Sequence, residues 1–354
     1  MSIVFAILLF SLLIFVHELG HFTAAKLSGV QVNEFSMFMG PAIAKWQRGE
    51  TLYSIRCIPL GGYCAMEGEE EDTDNPRSFQ KAAWWKRLII LLAGSTANLV
   101  IGLLIMVMVA LPLKAIVLPQ IDHFESYATI NGEHGLQDGD RIVEIDGEKI
   151  YNRADIDMMF SLNPGHVHDF VVERKGTLVY LEDFAMESHE VVDDDGTTKE
   201  LYGMNFVVLK DPTIADKLVY AWNYSIDTLR NVRLSLQMLV TGKADVKDVG
   251  GAVAIVDQMS QVAEASENTR SALMNMLAFG GMIALNLGVM NLLPIPALDG
   301  GRVVGVLLTT AVESVTKKKI NPKYEGYLHG IGMILLMILM GVILFKDLFT
   351  IFTR

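Results

Sequence analysis

A short motif near the start of the chain has the residue types and the spacing of a zinc site. The sequence His17-Glu18-Leu19-Gly20-His21 places two histidines four residues apart, with a glutamate directly after the first. On an α-helix, residues i and i+4 lie on one face, so both imidazoles can reach the same metal ion. The glutamate is then placed to act as a general base toward a water molecule. The motif therefore predicts a hydrolytic zinc site.

The motif lies in or beside an apolar run from Met1 to about Leu27. Histidine and glutamate are costly in a bilayer unless they are paired or bound to a metal, so ionisable groups there are candidates for function. The alternative is that these polar residues only mark the point where the first helix leaves the membrane.

A catalytic zinc needs a third protein ligand and a free position, and Asp299 is the candidate for that ligand. It lies in the segment Asn291–Gly301, N-L-L-P-I-P-A-L-D-G-G, at the end of another apolar run. Pro294 and Pro296 end regular helix, and Gly300-Gly301 permit close backbone approach, as expected of an unwound segment that lines a cavity. The alternative is that Asp299 is an ordinary turn residue at a membrane exit.

The composition predicts that these elements lie in a membrane. Of 354 residues, 51% are hydrophobic and only 20% are charged, and the mean hydropathy is +0.35. This apolar excess argues for segments in the bilayer and excludes a disordered chain. The two cysteines, Cys57 and Cys64, provide no disulfide framework. The net charge of −12 resides mainly in the long polar segment, which repels phosphate, so we expect no nucleic-acid partner.

Four apolar runs are candidates for transmembrane helices. The run Leu88–Leu113 has no charged residue and exceeds the roughly 20 residues that a bilayer requires. A cleaved signal peptide is the alternative for the first run, but a basic start and a small-residue cleavage site are missing. We therefore predict a polytopic α-helical membrane protein with four transmembrane helices, at residues 1–27, 88–113, 272–298 and 328–350.

The basic residues predict the orientation of these helices, because Lys and Arg in short loops stay on the cytoplasmic side. They precede the second apolar run and follow the third: Arg77, Lys81, Lys86, Arg87, Arg302, Lys317, Lys318, Lys319 and Lys323. Four crossings then place both termini and the segment 114–271 outside the cytoplasm. The first and third helices run in the same direction, so we expect the two histidines and Asp299 at one depth, toward the cytoplasm.

Three motifs together resemble the site-2 protease family of intramembrane zinc metalloproteases, in its bacterial RseP-type branch. They are H-E-L-G-H, Gly61-Gly62-Tyr63 and N-x-x-P-x-P-x-L-D-G-G, in the order of the family and spread over nearly the whole chain. The resemblance implies that His17, His21 and Asp299 bind Zn²⁺ and that Glu18 is the general base. It also implies a membrane-associated β-hairpin sheet within residues 28–87, whose edge binds an extended substrate segment. In the family, certain residues help to hold the substrate segment. The resemblance assigns this role to the matching positions of this chain, Asn286, Asn291, Gly61, Gly62 and Tyr63.

The residues themselves agree with such a hairpin. Gln31–Phe38 and Thr51–Ile58 alternate in polarity and favour β-structure, and a glycine and a charged turn separate them. A transmembrane substrate must unwind before hydrolysis, and an exposed strand edge can then bind its freed backbone groups. The alternatives are a loop with a tight turn around Gly61-Gly62 and interhelical hydrogen bonding by the two asparagines.

Residues 114–210 predict a separate extracytoplasmic α+β domain. The sequence Gly135–Gly147, G-L-x-x-G-D-R-I-x-x-I-D-G, resembles the bacterial PDZ domain. Within the family, that domain is thought to exclude substrates whose ectodomain another protease has not yet trimmed. Residues 211–271 predict an amphipathic helical linker, because apolar residues recur every three to four positions. Residues 299–327 are expected to form the L-D-G-G motif and a cytoplasmic loop.

Taken together, the sequence predicts a zinc-dependent intramembrane endopeptidase of a bacterial cytoplasmic membrane, with the zinc site toward the cytoplasm. By resemblance, its partners are single-span membrane proteins, such as anti-sigma factors or signal-peptide remnants, and an upstream site-1 protease that shortens them. The alternatives are a noncatalytic membrane scaffold that binds partners through the PDZ domain, and a transporter with a proton path.

Overall fold

A computed structural model describes residues 2–69, 73–128, 135–163, 167–192, 198–242, 252–266, 268–317 and 323–353. The chain forms two compact units. The first unit comprises Met1–Met106 and Thr228–Arg354, and the second comprises Val107–Asp227.

The described residues form helices and strands in both units. In chain order, the helices are α1 (Ser2–Ser28), α2 (Trp84–Ala110), α3 (Arg153–Leu162), α4 (Ile214–Thr241), α5 (Ala252–Glu264), α6 (Thr269–Asn291), α7 (Asp299–Thr316) and α8 (Lys323–Thr353). The strands are β1 (Val32–Arg48), β2 (Thr51–Met66), β3 (Ala115–Phe124), β4 (Arg141–Ile145), β5 (Glu148–Lys149), β6 (Val167–Arg174), β7 (Thr177–Ala185), β8 (His189–Val192), β9 (Thr198–Leu201) and β10 (Met204–Lys210).

Three helices in the described part of the chain are long and apolar enough to cross a membrane. They span Phe5–Ser28, Trp84–Ala110 and Thr269–Asn291, and they correspond to the first three predicted spans. The fourth predicted span lies in α8, where the apolar stretch His329–Ile343 is shorter. A fourth transmembrane helix therefore stays a prediction.

The structure corrects the sequence-based description of the region around the L-D-G-G motif. Helix α6 ends at Asn291, not at Leu298, and the intervening residues form turns that contain Pro294 and Pro296. The segment predicted as a loop at 299–327 begins with the 18-residue helix α7. This helix forms because its apolar face, with the buried Val306, packs into a core cluster shared with α1 and α2.

The predicted hairpin is present, and its strands are longer than the sequence indicated. β1 and β2 pair in antiparallel fashion around a tight turn that joins Arg48 to Thr51. Residues 34–37 have partners on two sides, at Leu52–Ile55 and at Gly62–Ala65. The segment Gly62–Met66 is consequently an outer edge of this sheet, and no further strand among the described residues pairs with it.

An aromatic cluster fixes the hairpin against α1. The ring of Phe35 in β1 lies 5.0 Å from that of Phe22 and 5.8 Å from that of Phe15, both in α1. Tyr53 in β2 lies 6.0 Å from Phe22. Phe35 is 7% exposed and belongs to the same core cluster as Ile90 of α2. This packing holds the sheet edge beside the helix that carries the H-E-x-x-H motif.

The second unit is a mixed α+β fold built on a sheet with the strand order β10-β3-β4-β6-β7, and β5 pairs with β4. Its core consists of fully buried apolar side chains, including Ile121, Ile142, Ile145, Ile156 and Phe170. The motif at Gly135–Gly147 carries a buried polar contact, in which Arg174 donates two hydrogen bonds to Asp140 at 2.8 and 2.7 Å. Because Asp140 is fully buried, this charge pair stabilises the turn before β4 only as long as both partners remain.

Candidate metal centre

Three potential ligand atoms from two distant parts of the chain lie together in the first unit. The Nε2 atom of His17 is 3.1 Å from Oδ2 of Asp299, and the Nε2 atom of His21 is 3.2 Å from the same oxygen. The two Nε2 atoms are 3.2 Å apart. The three side chains are only 9 to 16% exposed. Among the described residues, they are the group that could hold a metal ion.

This triangle fits zinc. Tetrahedral coordination with Zn–N and Zn–O distances of roughly 2.0–2.2 Å separates neighbouring ligand atoms by about 3.3–3.5 Å, close to the distances found here. Oδ2 of Asp299 is a buried oxygen without a hydrogen-bond partner, which is costly unless another group binds it. Two imidazoles and one carboxylate also form a donor set typical of catalytic zinc, and they leave a fourth position free.

Helix α2 positions the ring of His21 through contacts at both of its nitrogen atoms. Nδ1 of His21 donates a hydrogen bond to the backbone oxygen of Ile90 at 2.8 Å, which leaves the lone pair of Nε2 free for a metal. One turn further along α2, Gly94 lies against the imidazole, and a Cβ there would collide with the ring. Gly20 of α1 similarly lies against the backbone of Ala93 and Gly94. These small residues allow α1 and α2 to approach closely at the depth of the histidines.

His17 has two asparagine neighbours on the Nδ1 side of its ring. The Nδ2 atom of Asn98, in α2, is 3.3 Å from Nδ1 of His17. The Nδ2 atom of Asn291, at the end of α6, is 3.5 Å from the same nitrogen. Asn98 is fully buried, and its Oδ1 atom has no hydrogen-bond partner.

A polar cavity of about 650 Å³ opens onto the three ligand atoms. Its walls come from α1, the sheet edge, α7 and α8, and include Glu18, Tyr63, Cys64, Arg302 and His329. Such a volume can admit water to the three ligand atoms.

The sheet edge approaches Glu18 through Gly62. A Cβ at Gly62 would lie 3.5 Å from Cγ of Glu18 and 3.0 Å from the backbone oxygen of Ser36. The lack of a side chain at Gly62 therefore leaves space beside the carboxylate of Glu18. Gly61 has φ +78°, a conformation that favours glycine, and it lies against Met39.

A polar network in the sheet holds Tyr63 beside the cavity. Arg56 donates hydrogen bonds to the hydroxyl of Tyr63 at 2.5 Å and to Glu34 at 2.8 Å. Burial and the nearby Glu34 raise the pKa of Tyr63, so it lines the cavity as a neutral phenol. Burial likewise raises the pKa of the Cys64 thiol, which remains protonated there. On the other wall, Arg302 of α7 forms an ion pair with Glu69.

The structure thus brings together most of the residues selected from the sequence. His17, Glu18, His21, Tyr63 and Asp299 line one cavity, with Gly62 beside Glu18 and Asn291 beside His17. Asn286 is different, because it is half-buried on α6 and does not line the cavity. At about 100° per residue, it faces roughly 140° away from Asn291 around the helix.

Sequence reasoning missed the contribution of α2. Ile90, Gly94 and Asn98 are spaced by four residues and contact the two histidines from one helix face. A signal was present, since an asparagine and a run of small residues, Ala93-Gly-Ser-Thr-Ala97, are unusual in an otherwise apolar span.

An H-E-x-x-H helix and a distant aspartate that meet inside a bundle of candidate membrane helices define a membrane-embedded metallohydrolase. The chain belongs to peptidase family M50, the site-2 protease family, whose sequence profile matches residues 5–339. The expected family is thereby confirmed, as is the expectation of a zinc metalloprotease, and membership together with the apolar helices indicates a multi-pass membrane protein.

Similar proteins occur in several bacteria. A Clostridium acetobutylicum protein named as a zinc metalloprotease is 36% identical over 348 residues, which cover 98% of this chain and 97% of that protein. The regulator of sigma-W protease RasP of Bacillus subtilis is 26% identical over 431 aligned residues, with 98% of each chain covered. The zinc metalloprotease RasP of Geobacillus kaustophilus is 27% identical, with 98% of this chain and 97% of that protein covered.

Proposed function

We propose that this zinc metalloprotease is an intramembrane endopeptidase that hydrolyses peptide bonds within transmembrane segments of single-span proteins. The observation that carries the proposal is the meeting of His17, His21 and Asp299 with Glu18 in one polar cavity. These residues belong to the unit that holds two of the three candidate membrane helices and most of the third, α2. A hydrolytic centre among such helices suits a substrate that is itself embedded in the bilayer.

In this mechanism, His17, His21 and Asp299 hold zinc. When bound there, zinc would supply Lewis-acid polarisation of the scissile carbonyl and would lower the pKa of a water molecule to about 7. Glu18 takes a proton from the attacking water and delivers it to the leaving amine. The hydrogen bond from His21 to the backbone of Ile90 keeps the imidazole oriented during these steps.

We propose that the substrate binds as an added strand at Gly62–Met66. A transmembrane helix satisfies its own backbone groups, so unwinding it exposes amides and carbonyls that need new partners. The outer edge of the β1–β2 sheet provides such partners beside the cavity. Gly61 and Gly62 allow close approach, Tyr63 forms part of the wall, and Asn291, beside His17, helps to hold the substrate from the end of α6.

The proposed membrane organisation has α1, α2, α6 and α8 as four transmembrane helices, with the metal centre toward the cytoplasm of a bacterium. The second unit is then extracytoplasmic, and we assign to it a single PDZ domain on the strength of the Gly135–Gly147 motif. There it acts as a size filter for ectodomains. Basic residues before α2 and after α7 support this orientation.

We further propose that the substrates are proteins already shortened by an upstream protease, such as anti-sigma factors or signal-peptide remnants. The name of the Bacillus subtilis relative, regulator of sigma-W protease, supports a role in sigma-factor control. The acidic sequence supports no role for nucleic acid.

The experiment compares the purified wild-type protein with Glu18→Gln. Both proteins should contain one zinc per chain, because Glu18 is not a proposed ligand, and only the wild type should cleave a single-span model substrate in detergent or liposomes. We expect at least a 10²-fold loss of cleavage, since general acid-base catalysis contributes about 10²–10⁴-fold.

The matched control is Leu19→Met, at the neighbouring position, whose side chain is 39% exposed and points away from the cavity walls. It should retain both zinc and cleavage. Full cleavage by the Glu18→Gln protein would contradict the proposed mechanism. Zinc without cleavage in the wild type, across substrates with short ectodomains, would contradict the proposed substrate class.

A further inference from the structure

Asn98 is a buried polar residue in the middle of a candidate membrane helix. It is fully buried, and its amide group lies 3.3 Å from Nδ1 of His17. Its Oδ1 atom has no hydrogen-bond partner. An amide in this position costs free energy unless it makes a compensating interaction.

The chemistry of His17 indicates what that interaction is. A neutral imidazole carries its proton on one nitrogen and a lone pair on the other. Nε2 of His17 faces His21 and Asp299, so the lone pair needed for a metal lies there and the proton lies on Nδ1. The group opposite Nδ1 should therefore be an acceptor.

The amide of Asn98 can supply this acceptor. When Nδ2 of Asn98 faces His17, two donor groups face each other, the amide N–H of Asn98 and Nδ1–H of His17. In this orientation Oδ1 of Asn98 has no hydrogen-bond partner. Half a turn about the Cβ–Cγ axis of the side chain exchanges the oxygen and nitrogen in the same volume and places Oδ1 opposite Nδ1–H. Of the two orientations, only the second gives the Nδ1 proton of His17 an acceptor.

Helix α2 also provides an acceptor for the Nδ1 proton of the other histidine, His21. Ile90 accepts the Nδ1 proton of His21 through its backbone oxygen. Asn98 lies two helical turns further along the same face, with Gly94 between them against the ring of His21. The i, i+4, i+8 spacing therefore lets one face of α2 contact both imidazoles.

We propose that Asn98 is a positioning residue for the metal centre, which accepts the Nδ1 proton of His17 through Oδ1 and thereby directs Nε2 toward zinc. This inference rests on the proposed ligand set and adds a residue to it. Asn291 is the weaker candidate for the role, because its amide is more distant, at 3.5 Å, and less buried.

The test measures zinc affinity of the full-length protein in detergent, without any substrate. Zinc is removed with a chelator and returned in competition with a chelator of known affinity. Asn98→Asp keeps an acceptor but has no amide donor, whereas Asn98→Leu and the smaller Asn98→Ala have neither. The control is Ser95→Ala, which removes another buried polar group from α2 whose Oγ atom has no hydrogen-bond partner.

We expect the Asn98→Asp protein to bind zinc within about threefold of wild type, and Asn98→Leu and Asn98→Ala to bind it 10- to 100-fold more weakly, the usual cost of losing such a contact. Visible spectra of the Co²⁺-substituted proteins should change for the apolar variants and stay unchanged for Asn98→Asp and Ser95→Ala.

An Asn98→Asp protein that binds zinc as weakly as the apolar variants would overturn the assignment of Asn98 as an acceptor. Unchanged affinity in Asn98→Ala would overturn any positioning role. Because none of these measurements involves peptide cleavage, they remain decisive for Asn98 even if the proposed substrate class is wrong.

Discussion

The candidate metal centre consists of only three ligand atoms, but many contacts position the side chains that carry them. These side chains belong to His17, His21 and Asp299. The two histidines share a helix face by their spacing, whereas Asp299 reaches them because α7 begins at that residue. Three residues of α2 restrict the histidine rings: Ile90, Gly94 and Asn98. The ligand geometry is therefore determined by residues that do not bind metal themselves.

Gly94→Ala should weaken the metal centre without altering any proposed ligand. The new methyl group would collide with the ring of His21, which must then move away from the position that contacts Asp299. We expect lower zinc occupancy and a loss of about 1–3 kcal/mol in stability from overpacking. Metal analysis and thermal unfolding in detergent measure the two effects.

The control for this substitution is Gly341→Ala in α8, where an added Cβ meets no atom within 4 Å. It should leave zinc content unchanged. Normal zinc content in the Gly94→Ala protein would show that His21 tolerates the displacement, contrary to the expectation.

At the scale of elements, the β1–β2 sheet connects the metal centre to a surface that a polypeptide could use. Phe15, Phe22, Phe35 and Tyr53 anchor the sheet on α1, so the edge at Gly62–Met66 stays beside Glu18. The inner segment 34–37 is paired on both sides, so the edge at Gly62–Met66 is held in an extended conformation. Its unpaired backbone groups can pair with an added strand.

Gly62→Leu should separate metal binding from catalysis. The leucine side chain would extend into the space beside Glu18, whereas the three ligand atoms lie elsewhere in the cavity. We expect zinc content close to wild type and at least a tenfold loss of cleavage. Ala44→Leu, at an exposed position on the opposite outer segment of the sheet, should retain activity. Equal cleavage by both variants would argue against substrate binding at this edge.

The turn of the hairpin predicts a pH dependence of stability. Hydrogen bonds from Arg77 and Lys26 lower the pKa of Glu50 from 4.5 to about 2. Because the folded pKa is the lower one, Glu50 contributes stability above about pH 4.5, and this contribution is lost as the pH falls toward 2. The thermal midpoint of Glu50→Gln should therefore lie below that of wild type at pH 7 and approach it below pH 3.

Gln47→Ala, in the same hairpin, removes no ionisable group and serves as the control. Its difference from wild type should be the same at each pH. A difference for Glu50→Gln that does not shrink on acidification would mean that the ion pairs of Glu50 do not stabilise the hairpin.

At the scale of the whole molecule, the proposed chemistry and the proposed selection of substrates belong to different units. All three candidate ligands, Glu18 and the sheet edge lie in the first unit. The second unit has its own core and its own buried ion pair between Asp140 and Arg174. Each unit can thus be stable on the basis of its own contacts.

Replacing residues 116–209 with a short Gly-Ser linker should leave the metal centre intact. Ala115 and Lys210 are neighbours in the β3–β10 pair, and Asp211 donates a hydrogen bond to the backbone oxygen of Lys114, so a short linker can join the cut ends. We expect one zinc per chain, measured by metal analysis, and faster cleavage of substrates with long ectodomains. The deletion protein that also carries Glu18→Gln serves as the inactive control and gives the background rate of cleavage.

Loss of zinc from a well-folded deletion protein would contradict the independence of the metal centre. Unchanged discrimination between substrates with long and short ectodomains would contradict the proposed size filter. This outcome would not contradict the proposed metal chemistry.

The sequence alone determined the features that depend on local spacing and composition. The two histidines of the H-E-x-x-H motif lie on one helix face because of the 3.6-residue period, and the length of the apolar runs predicted α1, α2 and α6. The β-favouring residues around Gly49 predicted the hairpin, although not its full length.

Only the tertiary structure decided what depends on contacts between distant segments. The sequence predicts a loop where helix α7 lies, because the apolar face of this helix becomes evident only once Val306 packs into the core around Ile90. The contacts of Gly94 and Asn98 with the histidines form only when α2 packs against α1. The sequence does not predict these contacts, since neither residue belongs to a motif with the histidines. Local sequence fixes the periodicity of each element, whereas the environment of a metal ligand is set by elements that meet through long-range packing.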